Sequence, residues 1–359
     1  MDSEVRRFTI KGRAALSNHA GRFEAHAREV VDDGWAREDE DLPVLRTQVR
    51  DERPRKIISY NRSPDLPFDR SINPYRGCEH GCVYCFARPS HAYLGFSPGL
   101  DFETRLIARP DAPEVLAREI ASKNYRVAPI AVGTNTDPYQ PIERDREIMR
   151  ECLKVLEAAG HPVAIVTKGS LILRDIDILA RMAARGLVSV GVSVTTLDAR
   201  ISRLMEPRVP APKRRLQVIG QLAQAGVPVR VMASPMIPAL TDSEMEAILT
   251  AGHAAGAIHA SWSMLRLPLE VSGLVQEWLQ AHFPDRAARI MARLREMHGG
   301  KDYDARWHHR MRGEGVYAKI VARRYDVAIK RLGLNARAPC LRCDLFHPPV
   351  LPGAQLSLF

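Results

Sequence analysis

Three cysteines fall within eight residues in the stretch "GCEHGCVYCFAR", Gly77 to Arg88. Cys78, Cys82 and Cys85 are spaced C-x3-C-x2-C, which lets three thiolates converge on one metal centre. Three ligands leave a coordination position open. Zinc, completed by a distant histidine, is one occupant. An iron-sulfur cubane is the other, with one iron left free of protein to bind a small molecule. A second group, "CLRCDLFH" with Cys340, Cys343 and His347, has ligand spacing but supplies at most three donors, and reads more simply as reduced thiols. Cys152 shares the apolar face of a helical stretch with Ile148, Val155 and Leu156 and reads as a buried structural thiol.

The elements that must position the triplet follow from composition and periodicity. The chain has 359 residues, 45% hydrophobic and 26% charged, enough for one large domain with appendages. It has no run of about 18 apolar residues, and "MDSEVRRFTIKGR" lacks the apolar middle of a signal peptide, so no membrane span and a cytoplasmic location are expected. Six cysteines, three of them crowded, fit reduced thiols better than a disulfide framework. Residues 1–66 read as a loosely ordered N-terminal arm, since the first 56 carry twelve basic and twelve acidic residues with weak apolar periodicity.

From Pro67 onward short β-branched runs alternate with amphipathic stretches, the signature of βα repetition. Six strands are expected: Ser71 to Tyr75, Val127 to Gly133, Val163 to Thr167, Leu187 to Val194, Val227 to Ala233 and Ile258 to Met264. Gly160, Gly186 and Gly226 close helical runs, and Asp111 with Glu114 forms a capping box. Such strands suit a parallel sheet covered by helices, either doubly wound or curved into a partial barrel. In both, the ligand crevice lies at the carboxyl ends of the strands, and the cysteines follow the first strand. Charge is unevenly placed. Of a formal +10, the stretch Asp285 to Arg342 carries fifteen Lys and Arg against six Asp and Glu. That is the footprint of a polyanion-binding surface or of a solvated helical face, and Trp307, Tyr303, Tyr317 and Tyr325 interleave with it and either stack on bases or, as is commoner at such spacing, belong to the core.

The triplet with an aromatic residue, Tyr84, just before its last cysteine resembles the signature of the radical S-adenosylmethionine (radical SAM) enzymes. "NPYRGCEHGCVYCFAR", "TDPYQPIE" and "TKG" further resemble the spore photoproduct lyase-like, or DNA repair photolyase-like, subgroup, over the span Pro67 to Leu267. The resemblance implies an α/β fold with a partial (β/α)6 radical SAM barrel. With the composition it divides the chain into an arm (1–66), the core (67–270), a basic and mainly helical C-terminal extension (271–346) and a flexible tail (347–359). It implies a 4Fe-4S cluster on Cys78, Cys82 and Cys85, with S-adenosylmethionine on the fourth iron and an electron donor such as flavodoxin or ferredoxin. Reductive cleavage of the cofactor would yield a 5′-deoxyadenosyl radical for hydrogen abstraction. Asp137 with Thr136 would then contact the cofactor's amino-acid portion, Lys168 its carboxylate and Ser193 its ribose, with Tyr84 near the adenine. Plainer readings stay open: an Asx turn at Asp137, an exposed Lys168, a core hydroxyl at Ser193. Glu206 and Arg208, in "MEPRVPAPKRR", either reach the site or pair with each other at the surface.

One departure narrows the reading. Spore photoproduct lyase uses a cysteine near the second strand as hydrogen donor, whereas "AVGTNTDPYQ" puts Thr134 there, and a hydroxyl O–H bond is too strong for that role. Spore photoproduct repair itself therefore does not follow. The last five residues, Gln355, Leu356, Ser357, Leu358 and Phe359, resemble the peptide by which bacterial replication and repair proteins dock on the DNA polymerase sliding clamp, with the apolar side chains as anchors and the Gln355 amide fixing register. A tail folded onto its own domain is the alternative. The expected function is a radical SAM enzyme acting on DNA, in repair or modification. The alternatives are a non-catalytic iron-sulfur DNA-binding or clamp-adaptor protein, and radical modification of a protein or small metabolite.

Overall fold

In a computed structural model, residues 10–24, 45–335 and 339–351 are described. The strands are β1 (Gln48–Asp51), β2 (Ile58–Tyr60), β3 (Arg70–Ile72), β4 (Tyr75–Arg76), β5 (Arg105–Ala108), β6 (Ile130–Val132), β7 (Val163–Thr167), β8 (Val188–Ser193), β9 (Val229–Met236) and β10 (His259–Met264). The main sheet runs β10-β9-β8-β7-β6-β3-β2, with its first six strands mutually parallel and β2 antiparallel at the edge. Those six correspond to the six expected strands, in sequence order, except that the first stops at Ile72 and Tyr75 belongs to β4 of the second sheet. A doubly wound sheet reverses its order at a central switch point; this one never reverses, so it is the singly wound partial barrel. Two strands start or stop at prolines, which lack a ladder donor: β3 ends before Pro74, and β6 begins after Pro129.

Helices α1 (Leu100–Thr104), α2 (Ala112–Ile120), α3 (Glu143–Arg146), α4 (Ile148–Ala158), α5 (Ile176–Ala184), α6 (Ala199–Met205), α7 (Pro212–Gln224), α8 (Met245–Ala254), α9 (Glu270–His282), α10 (Pro284–Met297) and α11 (Gly315–Leu332) complete the chain. One face of the sheet, through Val163, Ile165, Val190, Val192, Val229 and Val231, shares a single core with Leu116, Leu153, Leu179, Leu222 and Ile248 of the covering helices. Cys152 lies in that core, fully buried, as its helical spacing implied. Gly160, Gly186 and Gly226 follow α4, α5 and α7 with φ of 59°, 70° and 79°, the left-handed geometry that a glycine cap supplies. The capping box does not form. Asp111 makes no side-chain cap bond at α2, because Pro113 removes one of the N–H groups it would accept from, and its carboxylate reaches Arg53 at 3.5 Å instead.

The described parts of the N-terminal arm differ from a loose segment. β1 pairs with β5 in a second sheet of order β1-β5-β4, and β2 extends the main sheet. Residues 10–24 lie against the cysteine loop, with Arg13, Ala14 and Ala15 buried. The polar composition concealed this because the attachment runs through backbone pairing and one buried carboxylate rather than an apolar face. At the other end the extension is helical, and it covers the open edge of β10. The Met264 amide donates to the Met311 carbonyl at 2.8 Å, and Asn335 bridges His259. The chain then returns along the opposite end of the barrel: the Arg342 amide donates to Gly186 O and the His347 amide to Ala159 O, both at 3.0 Å, with Phe346 against Tyr125 and His161. Cys340 and Cys343 therefore sit away from the triplet. No described helix is long and apolar enough to cross a membrane.

Candidate active site

The cysteine loop is shaped by two glycines and pinned by one arginine. Gly77 and Gly81 have φ of 74° and 64°, and a Cβ on Gly81 would stand 2.6 Å from Glu103 Oε2. The Cys78 amide donates to Phe102 O at 2.9 Å and the Val83 amide to Met205 O at 3.0 Å. Arg88 is fully buried and spends its guanidinium on carbonyls of the loop and of the segment before α1: Nε to Cys82 O at 2.9 Å, Nη2 to Gly81 O at 3.1 Å, Nη1 to Pro98 O and Gly99 O at 3.0 and 2.8 Å. Its charge is met by Glu103, also fully buried. Glu103 in turn accepts the Ala14 and Ala15 amides at 3.3 and 3.1 Å, so one ion pair ties the cysteine loop to the N-terminal strap. Sequence reading missed both residues. The available signal was an arginine directly following a metal loop in otherwise apolar text.

All three thiols are reduced, Cys78 and Cys82 buried and Cys85 half-buried. Burial pushes the Cys78 thiol up, and Asp137 and the other two thiols add to it. Cys82 is pushed up by burial to about 12, although Lys168 pulls the other way. Among the described residues no three His, Cys, Asp or Glu side chains gather around a single ion, the arrangement zinc would need. A cubane takes one thiolate per iron and spreads its ligands, which three cysteines on one loop, none gathered with others around one point, fit better. Loading it must release protons, since the ligands are thiolates.

Asp137 is not idle. Its Oδ1 accepts from Thr167 Oγ1 at 2.6 Å and from the Tyr139 amide at 2.9 Å, an Asx turn, while Oδ2 accepts from the Lys168 amide at 2.7 Å and lies 3.2 Å from His80 Nδ1. Burial pushes its carboxyl up, but His80 and these donors outweigh it and hold the group at about 2. Asp137 thus ties the end of β7 to the cysteine loop. Thr136 is buried and donates to Tyr75 O at 3.2 Å.

Lys168 follows β7 with its Nζ 5.7 Å from the centre of the Tyr84 ring. Burial disfavours its charge, yet Cys82 and Glu206 outweigh that and raise its pKa. No carboxylate lies within ion-pair reach of its ammonium among the described residues. Tyr84 is buried and donates its hydroxyl to Glu206, which pairs with fully buried Arg215 at 2.7 Å. Burial raises Glu206, and Arg215 with Lys168 more than reverses it. Arg215 also donates to Ser193 O at 3.0 Å and to Ser202 Oγ at 2.8 Å, fixing the end of β8 where the buried Ser193 side chain sits. The surface pairing of Glu206 with Arg208 does not occur. Glu206 is buried with Arg215, and Arg208 instead meets Glu79 at 3.2 Å, because α6 turns Glu206 inward at its C-terminal end.

Comparisons with known proteins agree with this geometry. The model of the Radical SAM superfamily matches residues 72–251. An uncharacterized protein of Mycobacterium tuberculosis is 38% identical over 235 residues, 65% of this chain and 68% of its own length. Another, from Methanocaldococcus jannaschii, is 26% identical over 191 residues, covering 53% and 68%. Among solved structures, a variant of spore photoproduct lyase superposes with a TM-score of 0.58 at 14% identity, covering 80% of this chain and 81% of its own. A variant with bound AdoMet and dinucleoside spore photoproduct gives 0.58 at 14% identity, covering 80% of each. At such identity the likeness is one of fold. With the family model spanning half of its length, including the cysteine loop and most of the barrel, the chain belongs to the radical SAM superfamily, whose cofactors are a 4Fe-4S cluster and S-adenosylmethionine.

Proposed function

We propose that the protein is a radical SAM enzyme acting on DNA, in repair or modification, with Cys78, Cys82 and Cys85 holding the cluster. Cluster and S-adenosylmethionine together supply a 5′-deoxyadenosyl radical able to take hydrogen from an unactivated C–H bond. The observation that carries the reading is the convergence on Cys82 of Lys168 from the end of β7 and Glu206 from the C-terminal end of α6, with Tyr84 of the cysteine loop bonded to Glu206 and beneath Lys168. Lys168, its charge favoured by Cys82 and Glu206 but with no carboxylate within ion-pair reach among the described residues, suits the cofactor's carboxylate. Ser193 suits the ribose, and the Tyr84 ring, held by Glu206, suits the adenine side. Asp137 and Thr136 act by holding the strand ends that carry these groups.

Support for DNA comes from the basic C-terminal extension and from structural relatives whose bound ligand is a dinucleoside lesion. Gln355, Leu356, Ser357, Leu358 and Phe359 lie outside the described residues; as a sequence they fit recruitment by the sliding clamp. A cytoplasmic setting with a flavodoxin or ferredoxin as electron donor completes the proposal. The test is anaerobic reconstitution with iron and sulfide, dithionite reduction with S-adenosylmethionine, and chromatography for 5′-deoxyadenosine. Cleavage that is lost in Cys82→Ala is expected. A fully loaded cluster without cleavage refutes enzymatic turnover and favours the clamp-adaptor alternative.

A further inference from the structure

We infer that Arg266 and Arg312, on the rim of the barrel above β10, bind phosphates of the nucleic-acid backbone and so set the side from which the substrate approaches the cluster. The inference rests on the proposed action on DNA. Arg266 lies just beyond the carboxyl end of β10, half-buried, its guanidinium carbon 3.9 Å from the centre of the Phe86 ring. Phe86 directly follows the cluster residue Cys85 and is itself 44% exposed. Burial disfavours the Arg266 charge and the Arg310 guanidinium adds to that, while Tyr303 and Cys85 favour it.

Several buried and half-buried arginines around this site have carboxylates: Arg88 has Glu103, Arg215 has Glu206 and Arg310 has Asp65, while Arg13 spends its guanidinium on the Glu103 and Leu45 carbonyls and the Thr47 hydroxyl. Arg266 has none within ion-pair reach among the described residues. A desolvated cation beside a second cation is costly unless an anion arrives to offset it. Arg312 is a second cation without a carboxylate in ion-pair reach among the described residues; it is exposed and stands over the Trp262 ring at 5.4 Å.

The loop that carries Arg312 is fixed in place. Met311 O holds the Met264 amide at 2.8 Å, Arg310 Nε reaches Asp65 Oδ2 at 2.6 Å, and the His308 amide reaches Asp65 Oδ1 at 2.6 Å. It therefore bridges β10 to the turn between β2 and β3 and frames the barrel's open side. On the same loop Trp307 is 55% exposed. Unpaired guanidinium groups interleaved with exposed rings, Phe86 and Trp307, are the combination that tracks a single strand by backbone charge and base stacking.

The experiment is fluorescence anisotropy of a labelled single-stranded oligonucleotide with the reconstituted full chain, between about 50 and 200 mM salt. Arg266→Gln and Arg312→Gln are compared with Arg118→Gln on the exposed face of α2. Each rim variant is expected to weaken binding about tenfold at the low-salt end and to flatten the log–log salt slope by about 0.7, one phosphate's worth. If both rim variants behave like Arg118→Gln, the inference is overturned while action on DNA stands. Weaker S-adenosylmethionine binding by Arg266→Gln with unchanged oligonucleotide binding would reassign that residue to the cofactor and also overturn it. If the parent protein binds no nucleic acid, the proposed function falls first. Should Arg266→Gln lose iron, Arg312→Gln, remote from the thiols, decides.

Discussion

Replacing Arg88 by Met should uncouple the cysteine loop from the rest of the molecule. Met keeps the length and most of the volume of the stem but removes every donor. Two carbonyls of the cysteine loop, Gly81 and Cys82, and two of the segment before α1, Pro98 and Gly99, lose a hydrogen bond each, and the Glu103 carboxylate is left charged and fully buried with only the Ala14 and Ala15 amides. Breaking a buried pair from one side costs about 3–5 kcal/mol, chiefly the stranded charge. The carbonyls add about 1 kcal/mol for each that water cannot reach. Against a whole-domain stability of about 5–15 kcal/mol, that is a large fraction. Glu103→Gln strands the opposite charge and should cost nearly as much, whereas Arg88→Met with Glu103→Gln together should cost several kcal/mol less than the sum of the two. The assay is urea unfolding of all four proteins under anaerobic conditions, together with hydrogen exchange across residues 10–24. Loss of protection there is expected in both single variants, since the strap hangs on Glu103. An Arg88→Met stability within about 1 kcal/mol of the parent, or additive single and double variants, would refute the reasoning.

Three further outcomes can be read directly. Lys168→Met should weaken S-adenosylmethionine about tenfold to a hundredfold in equilibrium dialysis, the worth of one charge-assisted hydrogen bond; unaltered affinity would remove Lys168 from the cofactor site. Gly81→Ala should lower iron and sulfide per chain, since a left-handed φ of 64° costs about 1–2 kcal/mol and the new Cβ displaces Glu103 as well; full cluster content would refute the close approach. Burial holds His91 and His161 neutral, each with its pKa lowered to about 4, so their contribution is complete above the unfolded value of about 6.5 and is lost as pH falls toward 4. Each should remove about 2 kcal/mol of unfolding free energy between pH 7 and pH 5, and a flat profile across that window would contradict their burial as neutral rings.

The strands were legible because β-branched runs such as Val163 to Thr167 carry their own period, and the triplet because ligand spacing is local. What decided between barrel and doubly wound sheet was the order in which strands lie side by side, and no local pattern encodes that. The same holds for the charges. Arg88 and Glu103, fifteen residues apart, look like two surface ions until the fold buries both. Glu206 and Arg208 look like neighbours, yet one is turned inward to Arg215 and the other outward to Glu79. Asp111 has the right residue type for a cap but faces Pro113, so its role depended on which donors the next turn retained.

The placement of the cysteines bears on how any radical cycle in this chain closes. All six are described, and the three outside the triplet are poorly placed to serve: Cys152 is fully buried in α4 among the core side chains, and Cys340 and Cys343 adjoin Gly186 at the opposite end of the barrel. The loop after β6 offers Thr134, whose O–H bond is too strong to give up a hydrogen atom readily. Hydrogen returned to a substrate radical would therefore not come from a thiol of this protein. Thiol hydrogens exchange with solvent, so product formed in deuterium oxide should carry no solvent-derived deuterium if the abstracted hydrogen is handed back by the cofactor fragment. Solvent deuterium in the product would refute this and direct attention to an exchangeable hydroxyl at the site, with Tyr84, held by Glu206, the first to replace by Phe.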